Sequence, residues 1–294
     1  MSGKLKEVRE RMKSVASTQQ ITKAMKMVSA AKLRKAQDAI VRIRPYADKL
    51  NQMLRNVLSA VEGDVNINFG KDRPVVHATV VVVTSSRGLA GAFNTNIIKA
   101  AVREIEQNFS EQRAAGKLTI LCIGKKGYDF FRRNYKDCTI SKDYVTLFED
   151  LSFDHTVVVP RMLMDSFSKG ETDRIMVFYS RFKNAATQIS EAVQYLPVPK
   201  LETPGSRRVN YIFEPEKDKL LETLVPSILE IQFQKFLLDT HASEHGARMT
   251  AMDKATTNAD DLLSELRINY NKARQEAITK ELSEIVGGAA ALGS

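Results

Sequence analysis

The sequence predicts an α/β protein of a particular layout: a long antiparallel two-helix coiled coil, formed by the N- and C-terminal helices, with a Rossmann-like α/β domain inserted between them. Three observations predict it. An apolar seam of 3.5-residue period runs over 221–277, a second helical pattern fills roughly the first sixty residues, and between them the hydrophobic period changes to that of alternating strands and helices. The boundaries this gives are 1–62 for the N-terminal helix, 63–214 for the α/β domain and 215–294 for the C-terminal helix and tip.

The C-terminal seam steps alternately by three and four through Leu221, Leu224, Ile228, Ile231, Lys235, Leu238, Ala242, His245, Met249, Met252, Thr256, Ala259, Leu263, Leu266, Tyr270, Ala273 and Ala277; all but Lys235, His245 and Thr256 are apolar. A stripe that long has to be covered along its length, so it needs a helical partner. No Pro follows Pro226, and no Gly lies between Gly246 and Gly287. One helix of about 60 residues or more, roughly 90 Å at about 1.5 Å per residue, is therefore expected.

The N-terminal helix is the expected mate. Leu5, Val8, Met12 and Val15 follow the heptad step; Ser17, Thr18, Gln19 and Gln20 interrupt it; and Ile21, Met25 and Val28 resume it one residue out of phase. Ala36, Ala39, Ile43, Leu50, Met53, Val57 and Val61 then continue the stripe, with Pro45 expected to kink or briefly interrupt the helix.

In the middle segment, 64–74 reads as a loop, and the β-branched run over 75–83 reads as a strand covered on both faces. A helix over 94–115, a strand over 117–124, a helix over 126–134, a short strand near Thr139, a helix over 156–169 and a strand over 174–182 follow, then strand-like runs over 187–196 and 209–213. Such alternation predicts a mainly parallel sheet flanked by helices. Pro197, Pro199, Pro204 and Gly205 mark a loop, and Pro215 and Pro226 bracket the way into the last helix.

Composition narrows the function. No run of about 18 apolar residues is present, and the opening segment has neither the apolar core nor the cleavage site of a leader, which sets the expectation against a transit peptide. Cys122 and Cys138 form no CxxC pair and read as free thiols in strands. The net charge of +9 is uneven: residues 1–56 hold fourteen Lys and Arg against four Asp and Glu, and residues 216–286 hold nine against thirteen. The two ends are thus suited to pair, with positive charge left for an acidic partner. A nucleic-acid role for Lys32, Arg34, Lys35, Arg42 and Arg44 lacks aromatic interleaving and any module pattern, so no nucleic acid is expected as partner.

Candidate chemistry is sparse. The turn Ser85-Ser86-Arg87-Gly88-Leu89-Ala90-Gly91 lacks the GxGxxG spacing, no P-loop lysine follows, and Gly124-Lys125-Lys126-Gly127 is equally incomplete. Both read as tight turns, with no cofactor expected. His241-Ala242-Ser243-Glu244-His245 matches H-x-x-E-H, an inverted zinc-hydrolase pattern. His245 lies in the seam, however, and no third ligand is evident, so a core His245 beside a solvated His241 is the expectation. The segment from Ile285 to Leu292 is small and nearly uncharged, which suits either disorder or a tip enclosed by a partner.

These residues resemble one family, the gamma subunit of the F-type ATP synthase of bacteria. Ile21-Thr22-Lys23-Ala24-Met25-Lys26-Met27-Val28-Ser29-Ala30-Ala31-Lys32-Leu33 is similar to its N-terminal signature; Arg248-Met249-Thr250-Ala251-Met252, Tyr270-Asn271-Lys272-Ala273-Arg274-Gln275 and Ile278-Thr279-Lys280-Glu281-Leu282-Ser283-Glu284 with Gly288-Ala289-Ala290-Ala291 are similar to its C-terminal blocks. The first-strand turn departs from the family's usual Ser-Asp-Arg-Gly-Leu-Cys-Gly, and the cysteine insertion of the chloroplast type is absent.

The resemblance implies a non-catalytic rotor shaft, one copy per complex, turning in a ring of three alpha and three beta subunits. It would couple proton-driven rotation of the membrane c ring to ATP synthesis, regulate ATPase activity and proton flow, bind the epsilon subunit, and lie peripherally on the cytoplasmic face of the bacterial inner membrane. By the same resemblance Arg274 and Gln275 engage loops of the ring, Thr279 and Glu281 share that region, Met25 and Lys26 face an acidic lever of a beta subunit, and Tyr211 and Glu214 meet the c ring. Two other classes stand against this reading: a coiled-coil protein that organises nucleic acid, and a zinc hydrolase.

Overall fold

The computed structural model describes residues 3–59, 69–70, 73–198 and 217–292. Helix α1 (Gly3–Ser59) and helix α7 (Lys217–Leu292) bound an inserted series of β1 (Ala78–Val83), α2 (Phe93–Asn108), α3 (Ser110–Ala114), β2 (Leu118–Ile123), α4 (Lys125–Asn134), β3 (Thr139–Ser141), α5 (Phe153–Thr156), α6 (Val158–Ser168), β4 (Arg174–Phe182) and β5 (Gln188–Leu196). The chain divides into two compact units. One comprises Met1–Ser29 and Met249–Ser294, the other Ala30–Arg248.

The larger unit is built on a five-stranded sheet of order β3-β2-β1-β4-β5, in which only β5 runs antiparallel to its neighbour. Alternate residues of each buried strand serve opposite faces, so the continuous β-branched run of β1 fills two cores at once. Val80 and Val82, with Ile120, Cys122 and Phe178, pack under Phe93, Ile97, Ala101 and Ile105 of α2 and Phe131 of α4. Val81 and Val83, with Leu121, Ile123, Val177 and Tyr179, pack under Leu163 and Phe167 of α6, Ala47 and Leu50 of α1, and Leu229, Phe233 and Phe236 of α7.

Within this unit α7 is a core helix, buried on nearly every side from 224 to 248 except at Lys235. Its polar side chains there are met by the domain. Gln234 donates to the Leu151 carbonyl (2.8 Å) and accepts from Thr156. Ser243 donates to Ser180 O (3.1 Å), Thr240 accepts from Ser180 N (3.3 Å), and the Tyr195 hydroxyl donates to Leu229 O (2.9 Å). Buried groups satisfied in this way avoid the cost of desolvation.

Several expected boundaries shift. The helix expected over 94–115 is broken at Phe109, whose buried ring anchors the chain between α2 and α3, and the one over 156–169 is divided at the buried Val157 into α5 and α6. Pro45 lies inside α1, which continues through it to Ser59, and Pro226 lies inside α7. The α1 stripe in this unit is Leu33, Ala36, Ile40, Ile43, Ala47 and Leu50; Ala39 is only half-buried and Met53 is exposed, while the Val57 side chain, Val61, most of the 64–74 loop and the strand expected over 209–213 lie outside the described residues. Cys122 is buried in β2, but Cys138 precedes β3 and is half-buried; both are free thiols.

Candidate functional site

In the smaller unit, residues 3–29 of α1 and 249–276 of α7 pair antiparallel, as side-chain partners with falling and rising numbers require. Lys4 Nζ meets Glu276 at 3.1 Å, Arg9 donates to the Tyr270 hydroxyl at 2.9 Å, Gln19 donates to Asp260, Thr22 and Thr256 hydroxyls meet at 2.8 Å, and Lys26 Nζ meets Asp253 at 2.5 Å. On α7 the predicted seam holds: Met252, Ala259, Leu263, Leu266 and Ala273 are buried and Met249, Thr256, Tyr270 and Ala277 half-buried.

On α1 the structure overturns the predicted phase shift. The inward positions continue in unbroken heptad step through Leu5, Val8, Met12, Val15, Gln19, Thr22, Lys26 and Ser29. Thr22 and Ser29 are buried, whereas Ile21, Met27 and Val28 are 57%, 61% and 57% exposed. The polar side chains won the inward positions because α7 supplies hydrogen-bonding partners there, so the apolar ones face outward.

Beyond Glu276, opposite Lys4, α7 runs on with no α1 residue facing it among those described. Ile278, Leu282, Ile285 and Val286 are all largely exposed on this overhang, the first three at i, i+4 and i+7 on one face. Arg274, Gln275, Thr279 and Glu281 are exposed here too, and Gln275 and Thr279 share a shallow groove with Lys272, Glu276, Lys280 and Ser283. Met25 and Lys26 are half-buried, the latter engaged by Asp253. Tyr211 and Glu214 lie outside the described residues. The outward apolar residues 21, 27 and 28 were not legible as such, because periodicity alone assigns apolar side chains to the interior.

The two glycine turns of the larger unit have structural causes. Gly124 has φ +90°, and a Cβ there would stand 2.0 Å from the Thr84 carbonyl oxygen; Gly127 N donates to Thr84 Oγ1 at 2.8 Å. The Gly127 N–H at the start of α4 is thus engaged by Thr84. After β1, Ser85 N donates to Asn94, and Arg248 donates to the carbonyls of Arg87 and Gly88 at 3.1–3.2 Å. In open α/β sheets ligands enter the crevice where strand order reverses, here between β1 and β4. In this chain Ser243 on Ser180, Gly246 against Ala185 and Arg248 on Gly88 place α7 in that crevice.

His241 is not solvated as expected: it is half-buried and stacks on Phe148, ring centroids 6.1 Å apart. Arg248 Nη1 lies 3.4 Å from His245 Nδ1 and can only donate, which leaves the His245 proton on Nε2 to reach His241 Nε2 at 3.1 Å. Burial lowers His245 to about 3 and His241 to about 4, with positive neighbours including Arg248 and Lys32 adding to it. Glu244, 2.7 Å from Arg248, is raised by burial in spite of that partner. This donor chain consumes the lone pairs that H-x-x-E-H metal binding requires. Among the described residues no three His, Cys, Asp or Glu side chains converge as metal ligands, and no helix is long and apolar enough to cross a membrane.

The structure thus defines a class: an α/β domain inserted between the two helices of an antiparallel coil. A family model described as ATP synthase matches residues 4–292. Relatives include the ATP synthase gamma chains of Cytophaga hutchinsonii, 49% identical over 292 residues, and Flavobacterium psychrophilum, 49% identical over 290, each match covering 98% of both chains. In fold it resembles a chain of the Euglena gracilis mitochondrial ATP synthase OSCP/F1/c-ring assembly, with TM-score 0.68 and 24% identity over 99% of this chain and 95% of that one. A rotor chain of the same Euglena enzyme gives TM-score 0.61 at 23% identity, over 95% and 100% of the two chains. The chain belongs to the ATP synthase gamma chain family.

Proposed function

We propose that this chain is the central rotor shaft of a bacterial F-type ATP synthase, one copy standing in a ring of three alpha and three beta subunits. Residues 1–62 and 215–294 form the shaft and 63–214 the foot. The foot binds the epsilon subunit and rides on the membrane c ring, with Tyr211 and Glu214 at that contact. Proton-driven rotation of the c ring turns the shaft, whose asymmetric surface changes the catalytic sites of the ring in sequence; the shaft itself carries no catalytic group. Through the same coupling it regulates ATPase activity and proton flow, from the cytoplasmic face of the inner membrane.

The observation that carries this reading is the overhang of α7. A single helix that exposes Ile278, Leu282, Ile285 and Val286 in water is unfavourable, and burial within a surrounding apolar collar removes that cost. The outward Ile21, Met27 and Val28 of α1 support the same enclosure farther along the coil. The solved chains that share the fold come from assemblies described as central stalk with c ring and as rotor, which agrees with the assignment. The solvent-exposed parts of the half-buried Met25 and Lys26 then meet an acidic lever of a beta subunit, which competes with Asp253 for Lys26. Arg274 and Gln275 engage ring loops with Thr279 and Glu281 beside them, and opposite charge favours correct docking. The test is the double variant Arg274→Ala with Gln275→Ala: complex yield or ATP-driven proton pumping falls, and unchanged values of both would remove the contact assignment.

A further inference from the structure

Within the coil of residues 3–29 and 249–276 the core changes character at one level. Toward the N-terminus of α1 the inward residues are Leu5, Val8, Met12 and Val15, and α7 there supplies Leu263, Leu266 and Ala273. At the next level α1 turns Gln19, Thr22, Lys26 and Ser29 inward, and Asp260, Thr256 and Asp253 of α7 answer the first three of them. Met252 and Ala259 are the buried apolar side chains α7 places among these polar groups.

Apolar core layers hold two helices together because separating them exposes surface to water. Hydrogen-bonded layers do so far less, since water replaces each partner when the helices part. The Lys26 and Asp253 side chains already stand 43% and 57% exposed, so solvent stands at the edge of this level in the closed state. The backbone of both helices is bonded within itself, and the strands can part here without any helix melting. Polar residues at inward heptad positions lower coiled-coil stability for the same reason.

We propose that the level from Gln19 to Ser29, with Asp253 to Asp260 opposite, is a built-in opening point, at which the two strands of the coil part and admit water while the apolar layers nearer the start of α1 stay joined. A coil that stays closed would instead give two equally buried methionines equal access to solvent, which gives a sharp test. Met252 in this layer and Met164 in the core of the larger unit are equally buried, each 5% exposed. Thioether oxidation by peroxide follows access to solvent.

The experiment treats the full-length chain with dilute hydrogen peroxide and follows sulfoxide formation at each methionine by peptide mass spectrometry. Opening predicts that Met252 oxidises at least about tenfold faster than Met164, and that Gln19→Leu with Lys26→Leu, which makes the layer apolar, slows Met252 toward the Met164 rate. Equal rates in the wild-type chain, or a Met252 rate that the double variant leaves unchanged, would overturn the proposal. The wild-type comparison decides by itself if the variant does not fold.

Discussion

Asp239 offers the most quantitative check of the packing described for α7. Its carboxyl is 5% exposed in the larger unit, and burial raises its pKa from 3.8 to about 6, although Lys235, Arg44 and Arg181 pull it down; Glu191 adds to the rise. A carboxyl with a raised folded pKa binds its proton more tightly folded than unfolded. Its ionisation therefore costs stability above pH 6, and the cost vanishes as pH falls below about 4. At about 1.36 kcal/mol per unit, the shift amounts to about 3 kcal/mol at pH 8. Asp239→Asn keeps the shape and removes the charge, so it stabilises the chain by up to about 3 kcal/mol at pH 8 and by almost nothing at pH 4. Urea unfolding of both proteins across that range, with the m value checked for constancy, measures the difference directly. A difference that does not vary with pH, or an Asn variant less stable at pH 8, would refute the account of this buried carboxyl.

The histidine pair has the opposite sign. His245 is held at about 3 against an unfolded value of 6.5, so stability is lost as pH falls below 6.5, and His245→Gln removes up to about 3 kcal/mol of that loss at pH 4.5, read from the same urea curves. Gly124→Ala places a Cβ against the Thr84 carbonyl at φ +90° and destabilises by more than about 3 kcal/mol, seen as a fall in thermal midpoint or loss of soluble protein. Leu282→Asp with Ile285→Asp touches no packed core, so the thermal midpoint of the isolated chain moves by no more than about 2 °C, while recovery of the chain in a complex with ring subunits drops at least about fivefold.

The α7 seam was legible because apolar residues recur at heptad spacing with few breaks, and the change of period over 75–83 marked the sheet with equal clarity. The phase of α1 was not. Ile21, Met25 and Val28 present a better apolar stripe than Gln19, Thr22, Lys26 and Ser29, and only the antiparallel match with Asp260, Thr256 and Asp253 shows why the polar set faces inward. That match depends on two segments more than two hundred residues apart in sequence, which local periodicity does not see. The division at Phe109 carries no Gly or Pro signal, and His241 is covered by Phe148 from a segment without periodic pattern. Of the proposed contact residues, Arg274, Gln275, Thr279 and Glu281 lie exposed together near the end of α7, while Met25 and Lys26 are half-buried in the coil.

The central claim is that this chain turns within a ring of catalytic subunits. The direct measurement fixes the ring of the assembled complex to a surface, attaches a bead through a cysteine introduced at the exposed Lys169, and records the bead while ATP is supplied. The rotor assignment predicts continuous one-way rotation with three dwells per turn, one for each catalytic site. A bead that stays fixed relative to the ring while the complex hydrolyses ATP would contradict it.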